Sequence, residues 1–535
     1  MRPLDWWVLG ASLVFIVAYG LWKSRRNATV NEYLLAGKTM PWYAMALSIM
    51  ATQASAITFI STTGQAYIDG MRFVQFYFGL PLAMILLCVT AVPIFHRANV
   101  YTAYEYLETR FDAKTRLLVS IVFLISRGLA VGVALYAPAI VLTVIFGWPD
   151  SWTTALMGTL VVAYTTLGGV KAVTWTDFQQ MLIMFVGLFV ALGMAIAKLP
   201  DDVGLGGALS IAGAAGRLNA VVTRFDWNDQ YNIWNGLFGG MFLMLAYFGT
   251  DQSQVQRYLT GKSVAQSRLS LLFNAVAKVP MQFFILLIGA MVFVFYTFER
   301  PPVSFNPSQE AKISAAAVEE YDRLFRERRE AARGLLAGAV PPEGLREANR
   351  RLETFRRDAG AANDANYVFL TFVTQQLPAG AVGLIMAAIF AAAMSTISAE
   401  INSLATVSVV DVYRRFVKPG ATDRHYLNAS RAATVFWGLY AIATAGFGRN
   451  LDSLIVAVNK LGSYFYGGLL GVFILAFYFP RTGGTAAFLA VLAGEAAIFA
   501  AAWFTGVSFL WYNVIGAVVV VVTGAALARL FEKPA

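Results

Sequence analysis

The chain has 535 residues, of which 58% are hydrophobic and only 13% are charged, and its mean hydropathy is +0.60. A soluble protein carries about 25% charged residues, so this composition excludes an ordinary soluble protein and predicts a polytopic membrane protein. The formal net charge of +10 comes from basic residues between apolar runs, which suits membrane topology better than nucleic-acid binding. The single cysteine, Cys88, excludes a disulfide within the chain, and the two distant histidines argue against a histidine metal centre.

Apolar segments along the chain predict an all-α protein with about thirteen transmembrane helices. A helix needs about 20 apolar residues to cross a bilayer. An odd number of spans puts the termini on opposite sides, and an outside N-terminus with a cytoplasmic C-terminus leaves most of the short-loop Lys and Arg inside. We therefore expect a multi-pass protein of the inner or plasma membrane. The predicted spans are 5–22, 42–67, 73–96, 115–147, 151–168, 172–198, 232–250, 267–298, 380–413, 428–447, 451–479, 483–504 and 509–530.

The second predicted span contains an uncharged stretch from Ala46 to Tyr67, ALSIMATQASAITFISTTGQAY, which is rich in hydroxyl groups. Polar groups at membrane depth face a cavity or the interior of a helix bundle rather than lipid. One interpretation is a helix broken near the midplane, which offers carbonyls and hydroxyls to an ion and a solute. The other is a helix–helix contact face, because small and hydroxylated residues also allow close packing.

Asp177, Arg127 and Lys278 are among the ionisable residues inside later predicted spans. Asp177, about one turn into its span, costs at least ~2.5 kcal/mol there unless it is paired or solvated. It either neutralises a cation or caps the helix N-terminus, where a carboxylate is favoured. Arg127 and Lys278 each either hold an anionic group of a solute or pair with an internal carboxylate. The Gly-Gly pair at 168–169, between two spans, is interpreted as a loop signal.

The segment from Pro307 to Ala365 is highly charged and differs from the rest of the chain. Apolar residues recur in it at three- and four-residue spacing on both sides of Pro341-Pro342, which predicts an αα-hairpin of two amphipathic helices. By the predicted topology the hairpin lies outside. There it is either a solvated insertion without chemistry, or a partner-docking surface or shield at the outer mouth.

A second polar stretch, AAAMSTISAEINSLAT, lies in the span 380–413. On a helix its Ser395, Ser398 and Asn402 share one face, because they are three or four residues apart. Sodium is a hard cation that takes oxygen ligands, and neighbouring hydroxyls with carbonyls of a broken helix supply about five such oxygens. The alternative is local packing polarity. No Walker loop, HExxH or GxSxG motif is present, so the sequence predicts no enzyme.

Four motifs in matching order resemble the sodium:solute symporter family, whose members cotransport sodium with sugars, sialic acid, proline, vitamins or monocarboxylates. They are GVALYAPAIVL at 132–142, YTTLGGVKAVTWTDFQQ at 164–180, GTDQSQVQRYL at 249–259 and the segment 391–413 ending in NSLATVSVVDVY. The resemblance implies a LeuT-type fold with two inverted five-helix repeats. The implied divisions are an N-terminal helix and cytoplasmic loop (1–41), a first repeat (42–198), an outer loop (199–231), a second repeat with the insertion 307–365 (232–479) and C-terminal helices (480–535).

Carried over position by position, the resemblance implies two candidate sodium sites. The main site would use the carbonyl oxygens of Ala51, Ala54 and Ala392 and the hydroxyls of Ser395 and Thr396. A second site, present in some members, would use Asp177, Ser395 and Ser398. Ala399 stands where those members have a further serine, so the number of sodium ions per cycle stays open.

The resemblance also implies a solute site. Arg127 is similar to the arginine of sialic acid carriers, which points toward a carboxylate solute. Tyr77 stands where the sugar carriers have an acidic residue. The amide residue beside their gating tyrosine is also absent, and Met244 stands near that place. Glu400, where the family usually has an apolar residue, is interpreted only as a partner for a basic side chain. The implied solute-lining residues are Gln53, Ser55, Thr58, Tyr77, Arg127, Tyr247, Lys278 and Asn459.

Together these features predict sodium-coupled symport of a small polar organic solute, a sugar or an organic anion such as sialic acid or a carboxylate, by alternating access. The expected partners are sodium, the solute and the lipid bilayer, without nucleic acid; the oligomeric state is not predicted. Two other functions stay open. One is proton-coupled solute symport through Asp177 or Glu400, and the other is a membrane solute sensor.

Overall fold

The computed structural model describes residues 1–23, 29–361, 364–451 and 453–531. Within these ranges the regular secondary structure is helical, and the one β-type contact is an isolated bridge between Met40 and Gly261. The prediction of an all-α protein is therefore confirmed. Helices suit a bilayer because each makes its backbone hydrogen bonds within its own segment.

Helices of very different lengths make up the first half of the chain. Short ones occur where glycine, proline or polar residues interrupt the apolar pattern. Their bounds are α1 (Pro3–Lys23), α2 (Val30–Leu35), α3 (Trp42–Gln53), α4 (Ala56–Asp69), α5 (Leu80–Val89), α6 (Ala91–Ala98), α7 (Ala103–Arg110), α8 (Ala113–Phe146), α9 (Asp150–Ala197) and α10 (Gly204–Ala214). A 3₁₀ segment, Gly70–Tyr77, precedes α5.

The second half contains a long, almost entirely buried helix, Ala381–Val407, and the charged insertion. The bounds are α11 (Gly240–Gly249), α12 (Gln252–Leu259), α13 (Val264–Phe298), α14 (Pro307–Glu310), α15 (Ala315–Leu336), α16 (Pro342–Asp358), α17 (Ala365–Gln376), α18 (Ala381–Val407), α19 (Asp423–Thr444), α20 (Leu454–Tyr478), α21 (Gly484–Phe504) and α22 (Leu510–Phe531). One π-helical segment, Asn235–Gly239, leads into α11, and another, Ser408–Val417, continues α18.

Nine helical windows in the described ranges are long and apolar enough to cross a membrane. These nine windows overlap all but three of the predicted spans, and one of them, Ala56–Ala98, overlaps two spans. The spans 151–168, 232–250 and 428–447 are helical but shorter or more polar than these windows. The number of thirteen spans therefore stays a prediction.

The long helix α9 is two helices joined at Gly169, in agreement with the two spans predicted there. Gly169 has a φ of +59°, in the left-handed region that favours glycine. A Cβ at this position would also lie 2.7 Å from the Tyr33 ring. The Gly-Gly pair interpreted as a loop signal is thus a kink between the two halves of α9, at a point where Tyr33 of α2 approaches closely.

Helix α18 lies at the centre of the bundle, packed against α3, α4, α8 and α9. Buried residues make up 89% of its most apolar window, and every residue of 385–407 is buried. The hydroxyl-rich stretch predicted from the sequence therefore faces protein rather than lipid, as polar groups at membrane depth must.

The charged insertion forms the predicted αα-hairpin of two packed helices, α15 and α16. Tyr321 of α15 and Leu352 of α16 belong to one small apolar cluster, which accounts for the three- and four-residue spacing. Arg328 of α15 donates a hydrogen bond to the carbonyl oxygen of Tyr296 near the end of α13 at 2.6 Å. The hairpin is therefore attached to the bundle through α13.

Candidate solute cavity and sodium site

Two helices that enter the core are interrupted at its centre. α3 ends at Gln53 and α4 begins at Ala56, and Ala54 between them has a φ of −87° and a ψ of 69°, outside the helical region. α11 ends at Gly249, and α12 begins two residues beyond Thr250. A helix end leaves backbone carbonyl or amide groups without helical partners. The first interruption agrees with the broken-helix interpretation, whereas the second was not predicted from the sequence.

The interruption between α3 and α4 lies against the hydroxyl-bearing turn of α18. Thr396 Oγ1 donates a hydrogen bond to the carbonyl oxygen of Thr52 at 3.0 Å. The neighbouring hydroxyl of Ser395 is buried and has no hydrogen-bond partner in the described chain. The residues whose carbonyls the resemblance implied as sodium ligands are also buried: Ala51, Ala54 and Ala392. The structure thus places Thr396, from the hydroxyl half of the predicted main site, against Thr52 of α3, which stands between Ala51 and Ala54 in the chain.

Asp177 is buried on α9 and is paired with an arginine. Its Oδ2 accepts a hydrogen bond from Ser48 Oγ at 2.5 Å and lies 3.9 Å from Arg257 Nη1, while Oδ1 has no partner in the described chain. Asp177 lies about two turns beyond the kink at Gly169, so it does not cap that helix. Ser398, assigned to the same second site, donates to the carbonyl oxygen three residues before it at 2.9 Å.

A cavity of about 70 Å³ lies beside the first interruption and is lined by residues of α3, α8, α11, α18 and α20. Thr396 and Thr52 also belong to its wall, so the cavity adjoins the contact between α3 and α18. Thr58 and Lys278 are not part of this wall. The predicted solute residues that line it are Gln53, Ser55, Tyr77, Arg127, Tyr247 and Asn459.

The guanidinium group of Arg127 is the centre of a buried network of charges. Nη1 donates to Glu400 Oε1 at 2.8 Å, and Nη2 donates to Asp251 Oδ2 and, at 2.5 Å, to Tyr466 OH. The Tyr466 hydroxyl donates in turn to Asp251 Oδ2 at 3.0 Å. The centre of the Tyr247 ring lies 5.6 Å from the guanidinium carbon. Of the two roles predicted for Arg127, pairing with internal carboxylates is the one found here.

Asp251 lies in the second interruption and is the N-cap residue of α12. Its Oδ1 accepts hydrogen bonds from the Ser253 amide at 2.9 Å and from the Ser253 hydroxyl at 2.7 Å. A negative charge is favoured at a helix N-terminus, and these bonds supply donors that a buried carboxylate needs. Asp251 therefore joins the α11–α12 interruption to Arg127 on α8.

Lys278 and Thr58, the two predicted solute residues outside the cavity wall, have other neighbours. Lys278 is buried, its Nζ lies 5.6 Å from the centre of the Tyr77 ring, and it has no hydrogen-bond partner in the described chain. Thr58 Oγ1 donates to the carbonyl oxygen of Gln53 at 3.4 Å, across the interruption. Thr58 thus bridges the two half-helices, and Lys278 lies behind the wall at Tyr77.

Residues 33–323 and 351–494 of the chain match the sequence model of a family, and that family is the "Sodium:solute symporter family". The chain belongs to the sodium:solute symporter family. Over 92% of its length this symporter is 30% identical to the sodium-dependent multivitamin transporter of Oryctolagus cuniculus, covering 69% of that protein. It is 28% identical to the sodium/sialic acid symporter of Aliivibrio fischeri, over 99% of this chain and 94% of that protein.

Solved structures agree with this membership. A substrate-bound, outward-open Na⁺-coupled sialic acid symporter matches the fold with a TM-score of 0.80 and 25% identity, over 99% of both chains. A transporter of the nucleobase-cation-symport-1 family matches with a TM-score of 0.52 over 94% of this chain and 95% of that one, and at 10% identity it shows the fold alone. The LeuT-type fold is confirmed, as are sodium-coupled solute symport, sodium as the coupling ion and a multi-pass membrane location. The family and these relatives are transporters.

Two residues of the symporter's core escaped the sequence analysis. Asp251 stands in the motif at 249–259. An acidic residue directly after an apolar span is a signal for a buried ion pair or a helix cap, and this signal could have found it. Tyr466 gave no signal, because an aromatic residue in an apolar helix is usually packing. Glu400 was noticed as unusual, and its expected basic partner is Arg127.

Proposed function

We propose that the symporter takes up a small polar organic solute that binds in the cavity, together with sodium bound between α3 and α18. The observation that carries this proposal is the hydrogen bond from Thr396 to the Thr52 carbonyl, because both residues also line the cavity. An ion at this contact would touch the same two helices as the solute. Binding of either one would then favour binding of the other, since such coupling is reciprocal.

The main sodium site in this proposal is a cage of uncharged oxygens. Its ligands are the carbonyl oxygens of Ala51, Ala54 and Ala392 and the hydroxyl oxygens of Ser395 and Thr396. The proposal is supported by the unpartnered Ser395 hydroxyl, and by Thr396, which donates its proton to a backbone carbonyl and keeps its lone pairs for an ion. Hard oxygens without full charge suit a monovalent cation that must also be released.

We propose one sodium ion per transport cycle. A second ion would need Asp177, Ser395 and Ser398, but Asp177 lies 3.9 Å from the buried Arg257 and is hydrogen-bonded by Ser48. Ala399 contributes no hydroxyl at this place. A carboxylate already compensated by an arginine attracts a second cation weakly.

The proposed cycle is alternating access. Sodium binds from outside and holds α3 against α18 while the solute cavity is formed. Inward opening then separates the two helices, breaks the ligand set and releases both cargoes. A membrane potential of ~100 mV supplies about 2.3 kcal/mol per charge and a tenfold sodium gradient about 1.4, enough for roughly 500-fold accumulation.

The proposed topology has the N-terminus outside, the C-terminus in the cytoplasm and the α15–α16 hairpin outside. It is supported by the basic residues of the short loops near 97–116, 257–268 and 414–431, which it puts in the cytoplasm. The division into inverted repeats, 42–198 and 232–479, is supported by the two interruptions. α3–α4 and α11–α12 would be the first helices of the two repeats, where transporters of this kind are discontinuous.

The solute in this proposal is a sugar or an organic anion. The relatives named for sialic acid, glucose and vitamins include both classes. The cavity offers groups for either class, since its wall includes Gln53, Asn459, Arg127 and Glu400. The family alone does not choose between them, so the choice depends on the charges of the wall.

Uptake into proteoliposomes tests the proposal against its rivals. A panel of labelled sugars, sialic acids and short carboxylates should include a solute that accumulates under an inward sodium gradient and not under a proton gradient. Accumulation that follows the proton gradient without sodium would favour proton coupling through Asp177 or Glu400. Sodium-dependent binding without accumulation of any solute would favour a sensor.

A further inference from the structure

The cavity adjoins a buried charge cluster, to which its wall contributes Arg127 and Glu400 and to which Asp251 belongs behind the wall. Arg127 is paired with two carboxylates, Asp251 and Glu400, and none of the three side chains is more than 5% exposed. One cation between two anions leaves this cluster with one net negative charge. A carboxylate-bearing molecule that entered the cavity would meet a guanidinium group whose charge is already compensated.

Glu400 directs one carboxylate oxygen toward Arg127 and leaves the other without a donor. Oε1 lies 2.8 Å from Arg127 Nη1, whereas Oε2 is buried with no hydrogen-bond partner in the described chain. The residue also lines the cavity. A buried carboxylate oxygen without a donor is unfavourable, so a molecule that brings a donor into the cavity would be stabilised there.

Two other polar atoms of the wall are also without partners. Gln53 Oε1 and Arg127 Nε are buried and make no hydrogen bond within the described ranges. With Glu400 Oε2, three residues of the wall therefore carry two acceptors and one donor that have no partner. A hydroxyl group can both donate to an oxygen and accept from a guanidinium N–H, whereas an ammonium group only donates and a carboxylate only accepts.

We propose that Glu400 is a specificity-determining residue that selects an uncharged, polyhydroxylated solute and rejects a carboxylate. This inference rests on the proposed function, in which the cavity is the solute site. Neighbouring hydroxyls of a sugar or polyol would donate to Glu400 and Gln53 and accept from Arg127. A carboxylate would meet the like charge of Glu400, which is unfavourable.

Matched probes test this preference by thermal shift on the purified symporter. D-glucose and D-galactose are each compared with their uronic acid, with N-acetylneuraminate as a further carboxylate, in sodium chloride. We expect a neutral sugar to raise the Tm at a concentration about tenfold lower than its uronic acid. Preference for a uronate or for N-acetylneuraminate overturns the proposal, as does a symporter stabilised by neither neutral sugar.

The variant Glu400→Gln isolates the charge, because glutamine has the same shape as glutamate. We expect it to bind the neutral sugar about tenfold more weakly and the matched uronate more tightly. The control Glu495→Gln removes another buried carboxyl, on α21 against Gly468 and outside the cavity wall, and should keep the wild-type preference. An unchanged ratio of sugar to uronate affinity in Glu400→Gln overturns the assignment.

Sodium chloride without solute separates this inference from the proposed function. Sodium alone should raise the Tm of the wild type and of Glu400→Gln equally, since Glu400 is not a proposed sodium ligand. If sodium raises the Tm but the solute preference is the opposite one, the role of Glu400 is contradicted and the sodium site is supported. If the predicted preference is found without any effect of sodium, the sodium site is contradicted and the role of Glu400 is supported.

Discussion

The hydroxyl of Thr396 on α18 donates a hydrogen bond to the carbonyl oxygen of Thr52 on α3, 344 positions away in the chain, at 3.0 Å. The bond lies where α3 is interrupted, so it joins the central helix to backbone groups that a continuous helix would have used itself. Any motion that separates these helices breaks the bond and disperses the proposed sodium ligands. In the proposed mechanism, sodium affinity is therefore coupled to the separation of these helices.

The hydroxyls of α18 give the first prediction. Ser395→Ala and Thr396→Ala should each raise the sodium concentration for half-maximal uptake by about tenfold or more, because each removes an oxygen ligand of a charged group. The matched control is Ser403→Ala on the same helix, whose hydroxyl donates to its own helix at 2.8 Å. Sodium titrations of uptake measure the effect, and an unchanged dependence in both variants would count against the site.

Removal of Arg127 should affect stability as well as transport. Arg127→Gln strands two buried carboxylates, which costs about 3–5 kcal/mol, so we expect a lower Tm and loss of uptake while sodium alone still binds. Adding Glu400→Gln to this variant removes one stranded carboxylate and should restore part of the Tm. Thermal unfolding of the two variants checks this, and a double variant less stable than the single one would contradict the pairing.

Asp177 tests the number of sodium ions. With one ion per cycle, Asp177→Asn should keep a Hill coefficient for sodium near one, and wild type should show the same value. The variant should also have a lower Tm, because Ser48 and Arg257 lose a charged partner. A wild-type Hill coefficient near two that falls to one in Asp177→Asn would instead establish the second site.

Close backbone packing at Gly64 gives a prediction about the fold. A Cβ at Gly64 on α4 would overlap the carbonyl oxygen of Ala365 at the start of α17, so Gly64→Ala should destabilise the symporter by about 1–3 kcal/mol. Gly193→Ala on α9 is the matched control, because nothing lies within 4 Å of its Cβ position. Thermal unfolding of both variants measures the difference, and equal effects would show that the close approach is not required.

The sequence predicted the parts of the core that depend on local pattern. Hydroxyls at helical spacing around Ser395 in an apolar segment indicated one shared helix face, and the structure buries them. The interruption of α3 was one of two interpretations, because the same small residues favour close packing, and Gly64 does pack closely as well. Both interpretations therefore describe part of the stretch.

What the sequence could not predict depends on pairs distant in the chain. Arg127 is 273 positions from Glu400 and 124 from Asp251, so only the folded bundle determines whether the arginine meets a carboxylate or a solute. The second interruption was missed because the segment 251–259 is polar and ends the hydropathy signal of its span. The resemblance implied Thr58 and Lys278 as solute residues. They lie outside the cavity wall because Lys278 packs against the Tyr77 ring and Thr58 bonds to the Gln53 carbonyl.

Equilibrium binding of radioactive sodium to the purified symporter tests the central claim most directly. We expect saturable binding of one ion per chain in the wild type and in Ser403→Ala, and loss of that binding in the double variant Ser395→Ala/Thr396→Ala. Wild-type sodium binding in a folded double variant would contradict the account.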